Sequence, residues 1–229
     1  IAYTKPYLTD NEYGVNSTKF VGSVANEKNN SVYFLVASPD PDSFKTSLTN
    51  ANSITDTRRL IDNIVELRSN SDGTETISPV VTDCYTLVGL AQTIIDIPPT
   101  TVNDPFNAFH VNDEFKNDVR VGMLVTVYDT GGNKIMDRAE IQKVDRDTRL
   151  VTLYDPHPGN GAWWQDNNAS HVLFEAPRVL NFDNKKTITG INIIDDLLFW
   201  TDNKGEPKKI NITRSKAGTN SFIRHTQLK

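Results

Sequence analysis

The chain carries a single cysteine, Cys84, among its 229 residues. One thiol excludes an internal disulfide framework and a cysteine-rich metal site. Histidine is scarce as well. His110, His157, His171 and His225 are scattered, with no pair at helical ligand spacing and no metalloprotease motif, so a zinc centre is not expected. No charge of one sign dominates. The formal net charge is −5, with acids and bases interleaved, so no broad electrostatic surface for nucleic acid is expected. Lys208 and Lys209 are too short a basic run to change that. No apolar run approaches the roughly 18 residues of a membrane helix, and the opening residues do not read as a secretory leader. Gly131, Gly132, Gly159 and Gly161 read as turn glycines and form no phosphate-cradling pattern.

What is present is β-type. Residues of hydrophobic type make up 37% of the chain, enough for a core, and Asn, Asp and Thr are abundant, which favours turns and edges over helix interiors. After an extended lead-in, residues 20–25 form a first β run. Residues 31–38, SVYFLVAS, are apolar on both faces, which predicts a strand covered on both sides. Residues 60–69 fit helix or strand. The turn signal at 70–73 follows at hairpin distance and favours a strand over 63–68, with 77–88 as its partner. Residues 98–118 are rich in Pro and Asn and read as linker. Residues 119–154 hold three β runs with turns at 130–133 and 146–148, which suggests a small β-barrel or meander inserted into a larger unit. A loop over 156–170 and a strand over 171–176 follow.

The sharpest unit comes last. Residues 188–194 read as a strand, Asp195 and Asp196 as a two-residue turn, 197–202 as a strand, 203–207 as a turn and 208–213 as a strand. Its core motif is Leu198, Phe199, Trp200, Thr201 and Asp202, with Ile210 and Ile212 on the return strand. Leu197 to Trp200 are consecutively apolar, which predicts a strand packed on both faces, and the Trp200 indole N–H then needs a partner. A hairpin in any β domain has this form. A weak internal repeat points further: the early run around Val32–Phe34 precedes NIVELRS (63–69), and the late run around Leu198–Trp200 precedes KINITRS (209–215). Meanders stacked around an axis bury both of their faces, the logic of a propeller. The expected fold is therefore mainly β, a partial β-propeller of antiparallel meander blades with an inserted small β subdomain. The expected divisions are 1–97 (lead-in and first blade), 98–176 (linker and insert) and 177–229 (second blade). Two blades do not close a ring. With Ile1 at the start and no closing element after residue 222, the chain is expected to be part of a longer polypeptide and of a multimeric assembly.

The motif carries a resemblance. FWTD followed by KKINI is similar to the YWTD-type repeat of propellers. The longer segment ITGINIIDDLLFWTDNKGEPKKINITRS, at 188–215, resembles a stretch of large virion structural proteins of tailed bacteriophages, notably those infecting marine cyanobacteria. HVLFEAPRVLNFD and VGSVANEKNNSVYFLVASP are similar to the same proteins, and the resemblance covers about half of the chain. It implies a tail- or baseplate-associated virion component whose partners are other virion proteins. It implies no catalytic residue and no cofactor. The secreted, cysteine-flanked propellers are disfavoured by the single cysteine.

The residues themselves offer little chemistry. Cys84 sits inside a β run, where a buried structural thiol is expected. Asp195 and Asp196 are adjacent turn residues with diverging side chains, not a glycosidase pair. The sequons at Asn16, Asn29, Asn168 and Asn211 arise readily in an Asn- and Thr-rich chain. Trp163 and Trp164, adjacent in a polar loop, are the main feature outside the motif. They suit contact with a protein partner or stacking on a host-surface glycan, and equally a ring laid over the insert. Two functions follow: a non-enzymatic virion structural component, and a carbohydrate-binding propeller module for host-surface recognition.

Overall fold

The computed structural model describes residues 18–38, 57–96, 107–154, 169–203 and 205–227. In chain order the elements are β1 (Lys19–Asn26), β2 (Ser31–Ala37), β3 (Arg58–Ser69), β4 (Glu75–Leu90), α1 (Ala91–Ile94), β5 (Ala108–His110), β6 (Leu124–Asp129), β7 (Lys134–Asp145), β8 (Leu150–Leu153), β9 (Ala169–Glu175), β10 (Gly190–Ile194), β11 (Leu197–Thr201), β12 (Lys208–Asn211) and α2 (Ile212–Gly218). The protein is mainly β, and its strand pairings are antiparallel. No closed barrel or propeller ring is formed among the described residues. No helix among them is long and apolar enough to cross a membrane.

The described residues divide into two compact units. The first draws on 18–38, 60–84 and 178–227, the second on 57–59 and 85–177. In the first unit, β1 to β4 lie side by side in chain order, and β10, β11 and β12 form a separate three-stranded sheet. The β1–β2 hairpin turns through a single 3-10 turn, Glu27–Asn29, closed by Asn30 at a left-handed φ of 51°, a conformation Asn tolerates better than most residues. Strand β2 pairs with β3 from Ser31↔Arg68 to Val36↔Asn63. The two sheets meet through one apolar cluster. Val21, Tyr33, Leu35, Ile64 and Val80 come from the first sheet, Leu198 and Trp200 from the second, and Leu180, Phe182 and Ile188 from the connection before β10. Gly22 makes the close approach feasible. A Cβ there would lie 2.5 Å from Ile191 Cδ1 and 2.9 Å from the Ile188 carbonyl oxygen. Beside it, the Ile188 amide donates to the Val21 carbonyl.

In the second unit the strand order is β4-β9-β6-β7-β8-β5. Its core is Leu87, Ile94, Phe109, Phe115, Met123, Val125, Ile141, Val151, Val172 and Phe174 with their neighbours. An isolated antiparallel bridge joins Ile95, just after α1, to Val111, just after β5. The expected linker over 98–118 thus contains a strand, β5, and a run of turns at 113–118. Its first part, through residue 106, lies outside the described residues. Asn107 secures the end of the connection by donating from its side chain to the Leu153 carbonyl at 2.8 Å. The three expected β runs of 119–154 are β6, β7 and β8, and the expected strand over 171–176 is β9.

Candidate functional site

The motif expected to matter most sits in β11. Its register is fixed by Ile191↔Trp200 and Ile193↔Leu198 on one side and by Leu198↔Ile210 on the other. Leu198 and Trp200 are 0% and 3% exposed and enter the core, whereas Leu197, Phe199 and Thr201 are half-buried on the opposite face. The expectation of two covered faces is therefore met on one face only. Along the outer face Phe199 stands between Asn192 and Lys209, and Leu197 between Ile194, 54% exposed, and Asn211. Trp200 packs edge-to-face on Phe182, with centroids 6.0 Å apart. Its Nε1 has no hydrogen-bond partner among the described residues. Asp202 accepts from Lys208 Nζ at 3.2 Å.

The expected strand over 208–213 ends early. Asn211 turns the chain by accepting the Arg214 amide at 2.8 Å, and Ile212 and Thr213 begin α2. This is an N-cap, with the Asn oxygen satisfying an amide that the first turn leaves free. Asp196 assists by accepting the Thr213 amide and hydroxyl. Residues 209–215 therefore do not repeat the strand geometry of 63–69, which lies within β3. Two sequons have local roles: Asn211 caps α2, and Asn29 Oδ1 accepts from the Ser31 hydroxyl. Trp163 and Trp164 lie outside the described residues.

Three buried carboxylates, none of them among the expected site residues, organise the first unit. Asp62 on β3 is 0% exposed. Its Oδ1 accepts from the Ser38 amide and hydroxyl, and its Oδ2 from Arg178 and the Phe182 amide. Burial pushes the Asp62 carboxyl above the usual range, and Arg178 and the amide donors oppose that shift. Asp83 on β4 accepts the Val179 and Leu180 amides. Together they pin the connection before β10 onto the first sheet.

The third carboxylate, Glu66, forms the floor of a polar cleft of about 210 Å³ rimmed by Asn26, Arg68, Asp195, Asp196, Thr213 and Lys216. Oε1 accepts from the Tyr33 hydroxyl at 2.7 Å and from Arg68 at 3.1 Å, and Oε2 from Lys216 and from Ser78 at 3.3 Å. Four donors on one carboxylate occupy the lone pairs that a general base would need. The arrangement ties β2, β3, β4 and α2 together.

Burial pushes the Glu66 carboxyl up. Hydrogen bonds from Lys216 and Tyr33, with the Lys216 and Arg68 charges, outweigh burial and hold it below the ordinary glutamate range. A carboxyl depressed on folding stabilises above its unfolded value, and that stability is lost as pH falls through the folded value. The urea midpoint of the wild-type protein is therefore expected to exceed that of Glu66→Gln at pH 7. The gap should close as pH drops below about 4. A gap independent of pH would remove the linkage.

A second cleft, of about 280 Å³, is lined by Asn181, Asp183, Lys186, Thr187, Ile188, Asp202 and Asn203. Among the described residues no group of three His, Cys, Asp or Glu side chains is placed to hold a metal ion. Cys84 is buried. His171 is 5% exposed, with Nδ1 2.9 Å from the Ser170 hydroxyl. His110 Nδ1 lies 2.9 Å from the Thr148 carbonyl oxygen. No protein-family model, curated protein or solved structure matches the chain.

Proposed function

We propose that this chain is a non-enzymatic structural component of a phage virion, associated with the tail or baseplate, that acts through contacts with other virion proteins. The observation that carries this reading is the segment 188–215 and its resemblance to virion structural proteins. The half-covered face of β10–β12 supports it. An apolar row of Ile194, Leu197 and Phe199 beside Lys209 and Asn192 suits cover by a neighbouring sheet. In the propeller form of the proposal, this meander is one blade of a ring completed by neighbouring chain or subunits. Peptide mass spectrometry of gradient-purified particles, from the phage whose genome encodes the chain, is the test. The chain should be recovered at a stoichiometry comparable to known tail proteins, and its absence from clean particles would sink the proposal.

The alternative, a carbohydrate-binding propeller module for host recognition, rests on Trp163 and Trp164. Binding on a glycan array that disappears in the Trp163→Ala, Trp164→Ala double variant would favour it over the purely architectural role.

A further inference from the structure

The cleft floored by Glu66 is walled by four separate stretches of the first unit. Asn26 and Asn29 come from the β1–β2 turn, Arg68 from β3, Asp195 and Asp196 from the β10–β11 turn and Lys216 from α2. Each stretch is pinned locally. Asn30 and Asp195 hold left-handed φ values of 51° and 53° in their turns, and Asp196 and Asn211 tie down the start of α2. Walls that stand in place before anything binds keep the ordering cost of a ligand low.

The lining offers donors and acceptors side by side. Arg68 gives one amino group to Glu66, and its buried Nε has no hydrogen-bond partner among the described residues. Lys216 uses one of its donors on Glu66, and an ammonium has others to give. Asn29 Oδ1 is taken by the Ser31 hydroxyl, which leaves its NH₂ to donate, and the Asn26 side chain makes no capping bond at the turn. Asp195 is 88% exposed, with one oxygen 3.8 Å from Lys28 Nζ, and an ionised carboxylate only accepts.

Charge and size decide between ligand classes. Glu66, Asp195 and Asp196 stand against Arg68, Lys216 and the adjoining Lys28, so the cleft is balanced. A phosphate or carboxylate would face Asp195 and Asp196, and an amine would face Arg68 and Lys216. A hydroxyl both donates and accepts, and meets neither repulsion. The volume, about 210 Å³, is about seven times a water's share of roughly 30 Å³, which is room for one sugar ring. Ile212, 5% exposed and also in the lining, gives the C–H face of such a ring an apolar surface.

We propose that this cleft binds one neutral sugar residue, such as the terminal unit of a surface glycan. None of its residues belongs to the 156–170 loop of Trp163 and Trp164, and the binding is independent of virion assembly. The lone pairs of Glu66 are filled by four donors, so the cleft holds the sugar without cleaving it.

Methyl glycosides of glucose, galactose, mannose and N-acetylglucosamine, titrated into the isotope-labelled intact chain and followed by NMR, test this directly. At least one is expected to move the Arg68 Nε–H signal and the Asn26 and Asn29 side-chain N–H signals saturably, with a dissociation constant on the order of a millimolar. Galacturonate, glucosamine and inorganic phosphate should bind about tenfold more weakly, because each meets a like charge. Asn26→Ala removes an amide that caps nothing, and Asp195→Asn keeps a residue that tolerates the left-handed φ. Each should weaken sugar binding about fivefold to tenfold, with the β11 amide signals unmoved as the mark of an intact fold. No saturable shift with any of the four glycosides, tighter binding of a charged probe, or equal binding by the wild type and both cleft variants would overturn the proposal. Binding lost in the Trp163→Ala, Trp164→Ala double variant, with the β11 amides unmoved, would overturn it as well.

Discussion

Asp62→Ala is expected to destabilise the first unit by about 3–5 kcal/mol, the range seen when one partner of a buried charged network is removed. The carboxylate is 0% exposed, and four donors from two distant parts of the chain converge on it. Ser38 supplies an amide and a hydroxyl just after β2, and Arg178 and the Phe182 amide come from the connection before β10. Alanine removes the oxygens on which these donors converge, while Arg178 keeps its bond to the Phe182 carbonyl, and each buried group left unsatisfied costs about 1–3 kcal/mol. Asparagine should rescue little. Both carboxylate oxygens accept, and an amide has one acceptor atom, so its NH₂ must face either the Ser38 pair or the Arg178 and Phe182 pair. Urea unfolding followed at the amides of β2 and β11 measures both variants. If Asp62→Asn matched the wild-type midpoint, the four-donor account would be wrong.

How much of this was legible in the sequence depends on how local the signal is. Alternation and turn chemistry located the β1–β2 hairpin, the β3–β4 hairpin at Asn70–Gly73 and the Asp195–Asp196 turn, because each is decided by residues a few positions apart. Sheet order was not legible. Strand β9 sits between β4 and β6, which are far from it along the chain, and nothing local encodes that choice. The end of β12 differs from the expected 213 although its signal is local: Asn211 followed by Ile-Thr-Arg-Ser is a capping pattern, and it stops the strand at Asn211. The burial of Asp62, Glu66 and Asp83 runs against the ordinary preference of acids for the surface. Their surroundings, LIDNIVEL and VVTDCYTL, do mark them, since an acid within an unbroken β run has to find donors. The donors themselves, Arg178 and Lys216, lie 116 and 150 residues away from the acids they serve, which no spacing argument reaches.

The β11 motif separates the two faces of its sheet, and a pair of substitutions reads that separation. Trp200→Ala is expected to cost about 3–5 kcal/mol, as for other buried aromatic truncations. The ring is 3% exposed, edge-on to Phe182 and set among Leu180, Ile188 and Leu198. Trp200→Phe should cost much less than alanine. It keeps an aromatic ring in the cluster and removes an indole N–H that has no partner among the described residues. Phe199→Ala, one position away, is expected to cost no more than about 1.5 kcal/mol in the isolated chain, because its ring is only half covered. Equal costs for the two alanine variants in the isolated chain would contradict the one-sided packing of β11. The blade reading adds a second requirement. If a neighbouring sheet covers the outer face in a particle, Phe199→Ala should leave the isolated chain folded yet block its incorporation. A Phe199→Ala chain that enters particles at the wild-type level would remove that reading and leave the motif as a one-sided β packing unit.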